Sequence, residues 1–143
     1  MLSLEEVREM STPQLRKILW EPVVERIISE AGTSDPQGIA DFFTRRLSLP
    51  SVLIEEFPEG MAEVDCIILL RHKIQGYMER NDLIGHRFEN FNTETFNTDF
   101  PYAVMCGRVD IFGRKISKSS YQVQSRGRGT KRPSTDAGIG IVV

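Results

Sequence analysis

The sequence predicts an α+β protein in which a small N-terminal bundle of three to five short helices precedes an extended segment, a few short β-strands and a basic C-terminal arm. Three observations lead to this class. Apolar residues recur at helical spacing through the first third of the chain, an aromatic stretch rich in Asn and Thr follows Gly85, and Gly, Arg, Lys and Ser dominate the last part. The expected regions are a helical body at 1–85, an extended aromatic segment with short strands at 86–123, and a Gly-rich arm with an apolar tip at 124–143.

Helix-start signals recur at Ser3 with Glu6, at Ser11-Thr12-Pro13, at Pro22 and at Asp35-Pro36. Ser and Asp side chains cap the free N–H groups of a helix, and proline is tolerated in the first turn because its missing N–H would have no partner there. Gly32 and Leu49-Pro50 are typical of helix ends. We therefore expect three or four short amphipathic helices between residues 3 and 48.

The last of these helices has an apolar face that we take as a candidate surface for docking a partner protein. Its apolar side chains repeat at helical spacing, whereas Arg45 and Arg46 point away from them. The face consists of Ile39, Phe42, Phe43 and Leu47.

The segment Met61–Arg80 fits two interpretations. Its apolar residues follow a helical period, but the shorter run Val64–Leu70 fits a buried strand equally well. We favour a helix because the periodic stretch is long.

A second candidate docking feature is the aromatic stretch that contains Phe88, Phe91, Phe96 and Phe100. It contains a near-repeat, Phe-Asn-Thr-Glu and then Phe-Asn-Thr-Asp, and Asn and Thr compete with helix by bonding to the nearby backbone. We therefore expect an extended segment that inserts its Phe side chains into a groove of this chain or of a partner. We expect Tyr102–Phe112 to form one or two strands split at Gly107, and Ile116–Val123 to form another.

The net charge of −2 conceals a split along the chain. Residues 1–107 carry 10 Lys and Arg against 18 Asp and Glu, whereas residues 108–143 carry 8 against 2. The arm residues Arg126, Arg128, Lys131 and Arg132 account for much of this excess. Such an arm is expected to bind either an acidic partner or the acidic body of its own chain.

The residues with chemical potential do not form a recognisable catalytic pattern. Two cysteines and two histidines (Cys66, Cys106, His72 and His86) lack the short ligand spacing of a zinc site and give no clear nucleophilic pair. A nuclease-like set of Glu63, Asp65, Asp110 and Lys115 is of a kind common by chance. The sequence has no phosphate-binding loop, nucleophile elbow or dinucleotide fingerprint. We therefore expect no enzymatic activity and no cofactor.

Residues 13–48 resemble the docking-and-dimerisation module of type II regulatory subunits of cAMP-dependent protein kinase. The likeness lies in a helix opened by Pro22, a break, and a second helix opened by Asp35-Pro36 with the apolar face described above. In that family, two helices per chain form an antiparallel four-helix dimer that binds an amphipathic helix of a scaffold protein, and many relatives belong to cilia, flagella or chromatin complexes. Gln37 stands where the family usually has an apolar residue. The resemblance implies a homodimer with a helical partner.

These observations predict a non-enzymatic structural or adaptor subunit of a larger assembly of a ciliary, axonemal or virion type. Its partners would be other protein subunits, including further copies of itself, and no membrane. Without a visible signal peptide or spanning segment, we expect an intracellular (cytoplasmic, cytoskeletal or ciliary) or virion location. The alternative is a nucleic-acid-associated protein whose arm follows a phosphate backbone.

Overall fold

The computed structural model describes residues 2–51 and 57–116, and these residues form a mostly helical body. In chain order its elements are α1 (Leu4–Arg8), α2 (Thr12–Leu15), a π-helical turn (Arg16–Trp20), α3 (Glu21–Ala31), α4 (Pro36–Leu47), α5 (Glu63–Arg80) and α6 (Phe96–Met105). The predicted helical character is confirmed. The predicted β-strands are not shown, because β-pairing within the described residues is limited to two isolated bridges, Phe88–Arg114 and Val109–Lys115.

The first two helices begin as their sequences predict. The Ser3 hydroxyl accepts from the Glu6 N–H at 3.2 Å, and the Glu6 carboxylate accepts from the Ser3 N–H at 2.9 Å, which completes a capping box. Ser11 and Gln14 form a second capping box at the start of α2. Each pair satisfies N–H groups that have no partner within the helix.

Pro22 starts the third helix, α3, as the sequence predicts, although no break separates α3 from α2. It lies in the first turn of α3, and the chain reaches it from α2 through the π-helical turn without a break. The Glu21 N–H bonds to the Arg16 carbonyl, five residues back. A proline ring would clash with the carbonyl four residues before it, so the wider π turn gives the helical run room for Pro22.

Helix α4 is set by its two ends. The Asp35 carboxylate accepts from the Gly38 N–H at 3.0 Å and caps the first turn. At the other end Ser48 has a left-handed backbone with φ of 56°, and the Leu49 N–H bonds to the Thr44 carbonyl at 2.9 Å. These contacts stop the helix just before Pro50, as the sequence predicts.

Helix α5 is the longest helix described and packs against α3, α4 and α6. Because Glu63–Arg80 is helical, the helical interpretation of Met61–Arg80 is confirmed and the strand alternative is wrong. Its buried face includes Ile67, Leu70, Ile74 and Met78, but also the polar Arg71 and Gln75. Because three neighbouring helices cover α5, it forms the centre of the body.

The aromatic stretch is where the structure departs most from the prediction. Phe96–Met105 is α6, so the extended segment ends before Phe96, and the start of the strand predicted at Tyr102–Phe112 is helical instead. After α6 the backbone turns at Gly107 and at Gly113, and short pairings replace strands. Helix α6 packs against α1, α3, α5 and the π-helical turn, so one core includes residues on both sides of position 85.

Candidate functional site

The apolar face of α4 lies inside the chain's own core. Ile39 and Phe43 are 0% exposed and Phe42 is 5% exposed, while Leu47 is partly buried. The rings of Phe42 and Phe43 pack on Phe112, with centroids 5.7 and 5.3 Å apart. An amphipathic pattern shows that a face is buried, but not which surface buries it. A partner helix cannot contact these side chains while the Phe112 turn and α5 cover them.

The aromatic stretch is also occupied by its own chain. Phe91, Phe96 and Phe100 are buried. The rings of Phe96 and Phe100 stack at 4.8 Å and pack against Trp20, and Phe91 packs edge-on against both. Phe88 is half-buried at the edge of the core. Of the two grooves considered for these side chains, the structure shows the groove of the chain itself. The arm residues Arg126, Arg128, Lys131 and Arg132, and the strand predicted at Ile116–Val123 beyond its first residue, lie outside the described residues.

The cysteines, histidines and carboxylates singled out from the sequence do not converge. Cys66 is buried, which raises the pKa of its thiol, and Cys106 is exposed. The ring of His72 contacts the Thr93 carbonyl at 3.1 Å, and Asp65 pairs with Arg16 at 2.8 Å. Within residues 2–51 and 57–116, no three His, Cys, Asp or Glu side chains come close enough to hold a metal ion.

What the fold does bring together is a group of three arginines that contact one buried residue, Phe112, and that we call the Phe112 arginine cluster: Arg46, Arg71 and Arg114. The Arg46 and Arg114 guanidinium carbons lie over the Phe112 ring, 4.9 and 4.6 Å from its centroid. Arg71 approaches from the core side and donates to the Phe112 carbonyl at 2.9 Å. Cations over an aromatic face are attracted to its negative charge density. Residues from α4, α5 and the last described turn therefore meet at one point.

Arg71 is the buried member of the cluster. It is 0% exposed, donates to the Ile111 carbonyl and to the Gln75 side chain, and lies 4.3 Å from the Phe100 ring centroid. Burial lowers the pKa of Arg71 to about 9, against the opposing effect of the Asp110 charge. The group therefore remains a cation at neutral pH, and its charge is felt strongly because little water screens it.

Asp110 is the carboxylate of the cluster, and its oxygens are already engaged. One oxygen accepts from the backbone N–H groups of Phe112 and Arg114 at 3.0 and 2.9 Å. The other accepts from the Arg114 Nε at 2.8 Å. One carboxylate thus balances three guanidinium groups, and the cluster retains an excess of positive charge.

Further basic side chains border the cluster. Arg45 precedes Arg46, and the Lys115 N–H bonds to the Arg87 carbonyl at 2.8 Å, which brings two more basic residues beside Arg114. Arg45, Arg46, Arg87 and Lys115 are exposed, and none of them pairs with an acidic side chain of the described residues. In contrast, Arg108 pairs with Glu89 at 2.7 Å. We call the cluster together with Arg45, Arg87 and Lys115 the basic face; Glu89, whose N–H bonds to the Gly113 carbonyl at 2.9 Å, is the acidic residue next to it.

Sequence reasoning did not find this face, although part of its signal was visible. Arg71 falls within the apolar period of α5, a position that normally faces the core, and the Arg45-Arg46 pair lies outside the apolar period of α4. Nothing in the linear spacing shows that Arg46 and Arg114, which are distant in the chain, share one ring.

The described helices include none that is both long and apolar enough to cross a membrane. Comparison with known proteins adds no relative: no family model, no curated protein and no solved structure matches this chain significantly.

Proposed function

We propose that this protein is a non-enzymatic structural or adaptor subunit of a larger assembly, and that it contacts its neighbours through its basic C-terminal segment. The observation that carries the proposal is that the chain itself already covers its large apolar faces. The large apolar side chains of α4 and of the aromatic stretch pack against their own chain. Contacts with other subunits then fall to charged and polar surface, where electrostatic complementarity selects the partner.

The end of the described body supports this division of roles. The Ile116 N–H donates to the Arg108 carbonyl at 3.0 Å, so the backbone is held in the body up to this point, beside Lys115 and Arg114. Residues 117–143 follow, and they contain five Lys and Arg against the single acidic Asp136. The basic segment therefore follows directly on the folded body, and we expect it to contact an acidic surface of a neighbouring subunit.

The test compares two variants that remove the same charges from different places. Lys131→Gln with Arg132→Gln changes the C-terminal segment, whereas Lys17→Gln with Arg80→Gln changes exposed positions of the body. Tagged full-length chains are expressed in cells of the native source. Extracts of these cells are then sedimented at low salt. We expect wild type and the Lys17/Arg80 variant to sediment with a large assembly, and the Lys131/Arg132 variant to shift toward the monomer.

Sedimentation of the wild-type chain as a free monomer would contradict the proposal, as would equal sedimentation of the two variants. Thermal unfolding of each purified chain serves as a control. Since all four positions are exposed or outside the described core, we expect their melting temperatures to agree with wild type.

A further inference from the structure

We infer that the Phe112 arginine cluster and its border form a binding site for the phosphate backbone of single-stranded nucleic acid. The inference does not depend on the assembly proposed above, because it rests on the folded body alone. The juxtaposition that carries it is the approach of Arg46 and Arg114 to one ring. Arg45 and Lys115 are their neighbours in the chain, and Arg87 pairs with Lys115 through the backbone.

The first argument is the uncompensated charge. The Asp110 oxygens are engaged by Arg114 and two backbone N–H groups. Asp41 lies one turn before Arg45 on the same side of α4 and accepts from the Gln37 amide at 3.4 Å, but together with Asp110 it offsets only two of the six basic residues. Arg71 adds a cation from the interior, where screening is weak. Such an excess of positive charge favours a polyanion over a neutral ligand.

The second argument is the arrangement of the guanidinium groups. Arg46 and Arg114 cannot be farther apart than the sum of their distances to the shared Phe112 centroid, which are 4.9 and 4.6 Å. Packing on the ring limits their freedom before any ligand arrives, so less side-chain entropy is lost on binding. A guanidinium donates two parallel hydrogen bonds to a phosphate, and its plane also stacks on an unpaired base.

A structural explanation accounts for only part of this arrangement. Arg45 and Arg46 lie in the last turn of α4, where cations stabilise the negative end of the helix. That effect does not explain why Arg114 and Arg71 converge on the same residue from other elements. The backbone carbonyls of Thr44 and Arg45 are already bonded to Leu49 and Ser48, which reduces their repulsion of an anion.

A single strand fits better than an acidic protein. The basic residues of the body come from three separate segments, α4, Arg87 and the Arg114-Lys115 pair, which suits a polyanion with several phosphates. Non-specific single-strand binding combines basic residues with planar groups on which bases stack. Arg46, which is exposed and lies over the Phe112 ring, supplies the planar group within the body.

The experiment measures the affinity of the full chain for a fluorescein-labelled twenty-nucleotide oligo(dT) and oligo(U) by anisotropy between low and physiological salt. The test variant is Arg46→Gln with Lys115→Gln. The matched control is Lys17→Gln with Arg80→Gln, which removes the same two charges elsewhere. Because Arg46 packs on Phe42 and Phe112, a second test variant, Arg45→Gln with Lys115→Gln, changes two exposed side chains and leaves that packing intact.

We expect both test variants to bind about tenfold more weakly than wild type, and the slope of log affinity against log salt to fall by about 0.7 for each lost phosphate contact. The control should bind within about twofold of wild type, since it leaves the phosphate contacts in place. Absence of oligonucleotide binding by the wild-type chain would overturn the inference. So would equal losses in the control and test variants, or displacement by poly-glutamate as effective as displacement by unlabelled oligonucleotide, which would identify an acidic protein as the occupant. None of these outcomes affects the sedimentation test of the assembly proposal.

Discussion

The indole N–H of Trp20 donates to the backbone carbonyl of Asn97 at 2.8 Å, and Pro101 explains why this carbonyl is available. In an α-helix the carbonyl of residue 97 accepts from the N–H of residue 101, and proline has no N–H to give. Pro101 lies inside α6. A side chain from the π-helical turn thus supplies the hydrogen bond that the helix lacks, and this contact lets α6 continue through a proline.

This relationship predicts a measurable coupling between Trp20 and Pro101. Trp20→Phe keeps a buried aromatic ring but removes the donor, and we expect it to lower the free energy of unfolding by about 1–3 kcal/mol. In the background of Pro101→Ala the new N–H can bond to the Asn97 carbonyl, so the same substitution should cost about 1 kcal/mol less. Urea unfolding of the four proteins of this double-mutant cycle measures the coupling. Additive effects within error would show that the Trp20 hydrogen bond does not substitute for the missing N–H.

A second prediction concerns the buried cation. Arg71→Met leaves the Ile111 and Phe112 carbonyls without their donor, so we expect a loss of about 3–5 kcal/mol in the free energy of unfolding. Arg71→Lys should also destabilise the protein, because one ammonium group cannot reach all three acceptors. Arg80→Met, at an exposed position of the same helix, should change stability by less than about 0.5 kcal/mol. If Arg71→Met were as stable as wild type, the hydrogen bonds of Arg71 would only balance the cost of burying its charge.

Two glycines provide a matched pair for the packing of the Arg71 group. Gly32 and Gly113 both have positive φ, at 76° and 86°, so Ala is strained at either position by about 1–2 kcal/mol. A Cβ at Gly32 would meet nothing within 4 Å, whereas a Cβ at Gly113 would lie 2.9 Å from Arg71 Nη2. Since Arg71 is held by three acceptors, it cannot move aside freely. We expect Gly113→Ala to destabilise the protein clearly more than Gly32→Ala in urea unfolding. Equal effects would show that Arg71 does not pack closely against Gly113.

The contact between α1 and α6 should make stability depend on pH. Burial raises the pKa of Asp99, but hydrogen bonds from Arg8, Thr95 and Thr98 outweigh it and hold the pKa below its usual value of 3.8. A carboxylate with a lowered pKa in the folded state stabilises the protein above its unfolded pKa, and this contribution is lost as the pH falls through the folded pKa. The stability difference between wild type and Asp99→Asn should therefore be about 1–2 kcal/mol at neutral pH and shrink below pH 3.8.

Thermal unfolding of both proteins from neutral to acid pH checks this expectation. Asp82→Asn makes the same chemical change at an exposed position with positive φ, which Asn also tolerates, and should leave stability at pH 7 within about 0.5 kcal/mol of wild type. A stability difference for Asp99→Asn that persisted unchanged at low pH would show that the carboxylate charge is not the stabilising feature.

Local signals in the sequence predicted the N-terminal helices well. The capping boxes at Ser3 and Ser11, the Asp35 cap and the stop near Gly32 all depend on groups within four residues of one another. The long period of α5 was also sufficient, because its apolar residues keep helical spacing over several turns. Such features can be read from the chain because they are complete within a single element.

The aromatic stretch could not be predicted in the same way. Its Asn, Thr and Pro101 disfavour helix locally, but burial of Phe96 and Phe100 against Trp20, together with the bond from Trp20 to the Asn97 carbonyl, stabilises helix α6. Contacts between residues far apart in the chain thus outweighed a weak local preference. The same reasoning explains the docking face on α4, whose pattern showed burial but not that its cover was Phe112.

The sequence by itself therefore determined the helical body, its caps and the division of charge along the chain, since each depends on neighbouring residues or on composition. Only the tertiary structure decided that the aromatic side chains serve the chain's own core and that three arginines meet at Phe112. The physical reason is that Arg46, Arg71 and Arg114 come from separate elements, and their approach depends on how α4 and α5 pack around the turn that contains Phe112.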